Sequence, residues 1–572
     1  VKSLVELLAV LVHDCARMSG APLHRDVETL RARVEHEGDS FITITLPAFC
    51  RDFERSLDSA RITPGSFSSF GKKKSGIPEF LQGLLCNVFG PTGDLLENPS
   101  IDCIRLIRQI CLFGKKIIRD CSSERQNDAI EKFKSCDDEV AIPAGIVYDA
   151  FKAVSSIVFG GFTDLSDGSF REDVMPVHGP GATRERISGN QKWRFKRWHT
   201  RLEDIGFSFM KYGRAQQRLI NAHEDGKVYL DLDWPDFVDP GNEEPVRVVF
   251  VPKTQSSPRV IAVEPVCMQY AQQGLSRLLV RLLERGRFTA DHVNFRDQMV
   301  NQALAKAGSV SGNSATLDMS DASDRIGLTH VHDMLRNIPV FRDWIEASRS
   351  TRAELPNGDV VSLKKFASMG SALCFPIEAM VFYLSIIASR IVRAGLPVSA
   401  HHVYAMSRDV YVYGDDLIVP SHEAPVICED LEALGFKVNR NKSFWTGKFR
   451  ESCGMDCFDG ESVTPIYLRR DIPTDHGDVS GLLSTVSTCN QLFSAGYWAT
   501  SMALRKAIED LHGKFPEVPN ESPAIGWNHH SEVVPVRRWN EDLQRFEQLL
   551  TVAVSPQQDD HLDGDSALAK CF

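Results

Sequence analysis

Tyr413-Gly414-Asp415-Asp416 sets two adjacent acids between the apolar runs Asp409-Val410-Tyr411-Val412 and Leu417-Ile418-Val419-Pro420. A glycine-containing turn between β-branched stretches predicts a β-hairpin whose tip presents carboxylates. Taken alone, the four residues fit an ordinary acidic turn equally well. Upstream, Ala315-Thr316-Leu317-Asp318 reads as a strand that ends on a third acid, and Met319 to Asp324 then turns into a helix. A strand-borne carboxylate beside such a hairpin can hold two divalent cations about 3.5–4 Å apart, which can activate a 3′ hydroxyl, stabilise pentacoordinate phosphorus and neutralise leaving pyrophosphate. Two Mg²⁺ ions, with Mn²⁺ as a substitute, suit a site that shares its oxygen ligands with a phosphate substrate. Asp321 is an extra acid on the same segment and is expected to be solvated or to cap the helix.

Between the acid sites lies Ser368-Met369-Gly370-Ser371, leading through Cys374 and Pro376 to Glu378 and an apolar run, Ala379 to Ala388. Gly370 would let the backbone approach a base and a ribose closely, although Ser-x-Gly before a helix is also a common cap. The apolar run is too short to span a bilayer and suits a buried helix. From Arg184 to Arg218, ten Lys and Arg, among them Arg194, Lys196 and Arg197, alternate with Trp193, Phe195, Trp198, Phe207, Phe209 and Tyr212. Cations beside flat rings are what a single-strand groove needs. A solvated helix face with core aromatics has the same pattern. Lys72-Lys73-Lys74 reads as a loop, and His529-His530 as a surface pair.

These residues need a large scaffold. The chain has 572 residues, 43% of them hydrophobic and 25% charged, enough for several lobes around a sizeable core. A net charge of −11 excludes a protein that coats nucleic acid with its whole surface, but not a basic channel inside an acidic shell. Fourteen cysteines without a C-x-x-C pair point to buried thiols rather than a metal or disulfide framework. The N-terminal stretch carries Glu6 among its apolar residues and does not resemble a secretory signal, and Val1 suggests a trimmed or partial reading frame or a non-AUG start. Residues 1 to about 170 read as mainly helical, with Ile104, Ile107 and Ile110 at helical spacing within Ile101 to Arg119. Two β-branched runs flank Lys253 to Arg259, strands and helices alternate to Arg470, and the chain then turns helical before a polar, acidic tail from Ser555 that is expected to be mobile.

In order and spacing, these segments resemble the palm motifs of viral RNA-dependent RNA polymerases, and most closely the replicase catalytic (beta) subunit of the single-stranded RNA bacteriophages of the Qβ kind. The resemblance rests on Val251-Pro252-Lys253 through Pro265, Asp318 to Asp324, Ser368-Met369-Gly370, Tyr413 to Asp416, Phe449 to Gly454 with Val463-Thr464-Pro465, and the loop His178 to Thr183. It implies an α+β right-hand fold of fingers, palm and thumb with an antiparallel palm sheet flanked by helices. The expected division is 1–265 for the N-terminal region and fingers, 266–470 for the palm, and 471–572 for the thumb and tail. The implied activity is RNA-directed RNA synthesis from ribonucleoside triphosphates. Asp318, Asp415 and Asp416 would bind metal and act in catalysis, Lys253 and Arg259 would neutralise the triphosphate, and Asp324 and Ser368 would read the ribose hydroxyls. Lys442 is a candidate general acid for pyrophosphate, or a solvated lysine of a basic loop. The implied partners are a single-stranded RNA template and product, host elongation factors Tu and Ts, and a host ribosomal protein. The implied location is the host bacterial cytoplasm, with no membrane involvement. The chain departs from many relatives in Cys374, which stands where they have Thr, and in Pro376, where some have an acid.

Two other readings use the same residues. A reverse transcriptase shares the metal-binding acids but usually has a bulky aromatic shortly after the first one, where this chain has Ser323 and Asp324. A non-catalytic RNA-binding scaffold would tolerate loss of the acids, all of which are present.

Overall fold

The computed structural model describes residues 3–72, 76–187, 189–213, 217–221, 228–232, 234–519, 522, 524–528, 538–547 and 550–554. Lys73, Lys74, Arg214, the Arg218 side chain, His529-His530 and the tail 555–572 lie outside the described residues. The architecture is α+β, as expected. Helices dominate the first 160 residues, including Leu4–Ser19, Leu46–Asp58, Ile101–Leu112, Ser123–Asp138 and Ile146–Phe159. The helix expected to reach Arg119 stops at Leu112. Gly114 follows, where an added Cβ would lie 2.5 Å from Ile42 Cγ2, so close packing of two segments sets the course of the chain there.

The central sheet has three antiparallel strands, Tyr411–Tyr413, Asp416–Pro420 and Ser314–Asp318, in that order. Helices Met299–Ser311 and Cys374–Arg393 pack against it. The second of these contains the apolar run read from the sequence, extended to 20 residues, and by length and hydropathy alone it is sufficient to cross a membrane. Its most apolar stretch is 83% buried inside the protein, where Ile377, Phe382, Leu384 and Ile387 form the centre of the largest core, so it serves as a core helix. Pro376 is tolerated because it falls in the first helical turn, where no intrahelical N–H bond is lost.

A second sheet runs Ser257–Val263, Val246–Thr254, Arg352–Glu354, Val360–Ser362, with the first pair an antiparallel hairpin and the middle pair parallel. A third, Phe449–Ser452 with Met455–Phe458 and Glu461–Ser462, is antiparallel.

The N- and C-terminal parts of the chain share one core. Leu7, Phe49 and Ile107 belong to the same cluster as Phe449, Leu482 and Leu504. Buried Arg108 crosses it, donating to Glu54 Oε1 and Asp456 Oδ2 at 2.6 Å each. Among the described residues every cysteine is a free thiol, and all but Cys86 and Cys453 are buried.

Candidate active site

The two strands that carry acids pair directly. Asp318 is the Cα partner of Asp416 across the ladder, so both side chains leave the same face of the sheet. Gly414 and Asp415 form the two-residue loop of the hairpin, with Tyr413 opposite Asp416. Gly414 is required twice over: its φ is +63°, and a Cβ there would lie 2.2 Å from Phe375 Cε2. The hairpin tip is thus seated on the first turn of the Cys374–Arg393 helix.

Next to Asp318, the segment from Lys437 to Phe444 runs along the free edge of the strand. Thr316 and Phe444 exchange backbone hydrogen bonds, and Ser320 N donates to Lys437 O. This edge delivers two side chains to Asp318: Asn439 Nδ2 donates to Oδ2 at 2.7 Å, and Lys442 Nζ lies 3.4 Å from Oδ1. Lys442 is also 3.9 Å from Glu451 Oε1. Glu451 first, then Asp318 and Asp416, hold its ammonium well above the ordinary lysine range. The acids show the opposite strain. Burial raises the Asp318 carboxyl, and burial followed by repulsion from Asp415 and Asp318 pushes Asp416 up to about 7.

Crowded carboxylates that resist ionising together fit a hard divalent cation in donor chemistry. No group of three or more His, Cys, Asp or Glu among the described residues is already shaped around an ion. Asp318 spends its oxygens on Asn439 and Lys442 instead.

A cleft of about 780 Å³ opens over this face, lined by Asp318, Asp415 and Lys442 and, across from them, by Lys253 and Arg259 of the Val246–Val263 hairpin. Desolvation, then Arg259 and Lys442, press the Lys253 ammonium below its ordinary range, as expected of cations gathered without a bound anion. Gly370 also lines the cleft. With φ at +124°, what its missing side chain admits is the backbone of the neighbouring strand: a Cβ would meet Ala262 O at 2.1 Å. This contact, with the Ala262 N to Met369 O hydrogen bond, locks the loop to the hairpin carrying Arg259.

Asp324 and Ser368 are separated. Asp324 lines the cleft, and its Oδ1 accepts from Lys365 Nζ at 2.9 Å. Ser368 is 5% exposed and borders a small internal cavity with Glu264, Arg349 and Ser350. Its hydroxyl has no hydrogen-bond partner. Asp321 stands just before the short helical turn Ala322–Arg325, makes no capping hydrogen bond with its side chain, and pairs with Lys132.

Residues 238–492 match the family model described as RNA replicase, beta-chain. The chain is 36% identical over 227 residues to the RNA-directed RNA polymerase subunit beta of Escherichia virus Qbeta, covering 40% of this chain and 36% of that protein. It is 33% identical over 288 residues to the subunit of Enterobacteria phage SP, covering 50% and 44%, and 33% identical over 225 residues to the beta chain of Escherichia phage MS2, covering 39% and 38%. The matched part of the chain thus spans less than half the length of these relatives. Among solved structures, the RNA-dependent RNA polymerase of a human picorbirnavirus aligns with TM-score 0.41 and 11% identity over 71% of this chain and 76% of that one.

The matched region holds every acid of the site, Lys253, Arg259 and Lys442, but not the basic segment. There the fold decides against a groove of exposed rings. Phe195, Trp198, Phe207, Phe209 and Tyr212 are core residues; Phe207 stacks on Trp198 and Tyr212 and meets Trp344 edge-on. Several of the cations are matched by acids: Arg184 with Glu354, Arg197 with Glu244, Arg201 with Glu243 and Lys211 with Glu172. Arg194 and Lys196 are exposed, and neither lines the cleft.

Sequence reasoning missed Lys365, Asn439 and the helix Ser123–Asp138. Lys365 is fully buried, its ammonium 3.4 Å from the centre of the Phe133 ring. Its backbone N–H and that of Lys364 donate to the Asp137 carboxylate. Phe133, Lys132 and Cys136 of that helix form one wall of the cleft. The only sequence signal was the amphipathic spacing of Ile130 and Phe133, which says that a face is buried but not against what.

Proposed function

We propose that this protein is an RNA-directed RNA polymerase of an RNA phage, which copies a single-stranded RNA genome from ribonucleoside triphosphates and releases pyrophosphate. The observation that carries the reading is the ladder pairing of Asp318 with Asp416, with Asp415 at the turn, beneath a cleft whose opposite wall bears Lys253 and Arg259. The match of residues 238–492 to the family model described as RNA replicase, beta-chain, supports it as well.

In this reading Asp318, Asp415 and Asp416 hold two divalent cations, Mg²⁺ or Mn²⁺, which when bound supply Lewis-acid activation of the 3′ hydroxyl and neutralise charge at phosphorus. Lys253 and Arg259 bind and orient the triphosphate, the former as a point charge and the latter as a planar fork. Lys442 favours the ionised form of Asp318 against burial and holds a proton at Nζ that can pass to pyrophosphate as it leaves; its raised pKa ensures that the proton is present at neutral pH. Asp324 faces the sugar. Ser368 acts only if the loop rotates it into the cleft. Arg194 and Lys196, with Arg197 once it is released from Glu244, are candidates for RNA backbone contacts.

The fingers, palm and thumb divide at about 265 and 470. Host elongation factors Tu and Ts and a ribosomal protein are proposed partners, and the host bacterial cytoplasm is the proposed site of action.

The test is incorporation of labelled ribonucleotides by the purified chain on an RNA template ending in a cytidine run. It is run with and without Mg²⁺, with and without host extract, and with Asp415→Asn in parallel. Template-dependent RNA that disappears in the variant, while RNA binding is kept, is expected. Undiminished synthesis by Asp415→Asn would overturn the site, and a DNA product would favour the reverse transcriptase reading.

A further inference from the structure

Both carboxylate oxygens of Asp318 are engaged: Oδ2 accepts from Asn439 Nδ2 at 2.7 Å, and Lys442 Nζ lies 3.4 Å from Oδ1. The two engagements differ in what they leave for a cation. An oxygen that accepts one N–H from a neutral amide keeps a second lone pair to share. An ammonium carries a like charge, so it competes with a divalent cation for the same oxygen. Lys442 therefore has to leave Asp318 before Oδ1 can serve as a ligand.

Glu451 stands where the ammonium can go. Its Oε1 is 3.9 Å from Lys442 Nζ, so one nitrogen reaches two carboxylates. The backbone fixes this placement. Thr316 and Asp318 alternate onto one face of their strand, and the strand Phe449–Ser452 is tied to that strand. Glu451 N donates to Thr316 Oγ1 at 3.3 Å, and Arg450 Nε donates to Ser314 O at 2.6 Å. Among the described residues Lys442 is the only ion-pair partner of Glu451, and the Glu451 carboxylate accepts no hydrogen bond. Glu451 is not part of the cleft wall to which Asp318, Asp415 and Lys442 belong. Its negative charge opposes ionisation of both Asp318 and Asp416. A fourth carboxylate in so crowded a place is matched only by Lys442.

We propose that Glu451 is a positioning residue for the metal site: it draws the Lys442 ammonium off Asp318 and so releases Oδ1 to a divalent cation. Lys442 changes carboxylate partner as the site loads. A movement of about 1 Å brings its Nζ within charge-assisted hydrogen-bond distance of Glu451. This rests on the reading of Asp318, Asp415 and Asp416 as metal-binding acids.

The experiment measures the affinity of the full chain for Mn²⁺, from the paramagnetic resonance signal of the free ion, without nucleotide or RNA. Glu451→Gln, Lys442→Met, the two together and Asp415→Asn are compared with the unaltered chain. Glu451→Gln leaves the ammonium on Asp318 and is expected to weaken binding on the order of tenfold, the size usual for groups that orient a metal ligand. Lys442→Met removes the competitor and is expected to bind at least as tightly as the unaltered chain. In the Lys442→Met background, Glu451→Gln is expected to change affinity by less than about twofold, because no ammonium is left to relocate. A merely structural role, or a general loss of negative charge, would not depend on Lys442 in this way.

Unchanged affinity in Glu451→Gln overturns this inference. An equal loss in the Lys442→Met background does so too, and would make Glu451 a ligand or a simple charge. Weaker binding by Lys442→Met alone also overturns it, and that result needs no Glu451 variant to fold. Absence of Mn²⁺ binding by the unaltered chain, or binding indifferent to Asp415→Asn, overturns the metal-site reading and this inference with it.

Discussion

Replacing Gly414 by Ala tests whether the hairpin tip is held where the acids need it. The new Cβ would lie 2.2, 2.9 and 3.2 Å from three atoms of the Phe375 ring, against an ordinary carbon contact of about 3.5–4 Å. The turn or the ring must therefore move by more than roughly 1 Å. The left-handed backbone, φ +63°, adds about 1–2 kcal/mol for any L side chain. Overpacking of a tight contact adds about 1–3 kcal/mol. The total, roughly 2–5 kcal/mol, will appear as a lower urea midpoint. Displacement of Asp415 and Asp416 by about 1 Å should cost on the order of 100-fold in the rate of RNA synthesis.

The two causes can be separated with Phe375→Leu. In the double variant the steric part should be relieved and the backbone part should persist, giving a favourable coupling of about 1–3 kcal/mol in a double-mutant cycle of unfolding free energies. Gly414→Ala within about 0.5 kcal/mol of the parent chain, or strictly additive effects with Phe375→Leu, would refute the claim that ring contact and backbone conformation position the acids.

Further outcomes follow from other contacts. Lys365→Met removes the buried cation from Asp324 and should destabilise the protein by about 3–5 kcal/mol, while raising KM for the nucleotide more than it lowers kcat; an unshifted thermal unfolding temperature would show that the pair is not needed. Arg108→Leu strands Glu54 and Asp456 in the core shared by the two ends of the chain, and unfolding should fall by a similar amount, with Glu54→Gln added to it restoring part of the loss. Burial depresses His178 to about 3 and His199 and His330 to about 4, so the fold keeps them neutral. As pH falls below the ordinary histidine value near 6.5, the unfolded chain takes up protons that the fold refuses, and stability should drop toward pH 4 by up to about 1.4 kcal/mol per pH unit for each histidine. His178→Phe should flatten that acid limb in urea titrations at pH 7 and pH 5, and an unchanged slope would contradict its burial as the neutral form.

What the sequence alone determined was local. Asp318 at the end of an apolar run, and a glycine turn between two β-branched runs, dictate a strand and a hairpin because the turn chemistry and the period of two lie within a few residues. The apolar stretch after Glu378, too short as read from the sequence to span a bilayer, suited a buried helix, and it packs as one. Tertiary structure decided what those elements meet. The rings of the 193–212 segment were legible as aromatic but not as core, because spacing does not say whether a flat side chain faces a base or Trp344. Gly370 was legible as a place for close approach, but only the packed loop shows that the neighbour is Ala262 O. Lys365, separated by 41 residues from Asp324 and by more than 200 from the helix that buries it, carries no local signal at all. Its ammonium is tolerated in the interior only because folding brings a carboxylate and an aromatic face to it at once, and a coincidence of that kind exists in three dimensions and not along the chain.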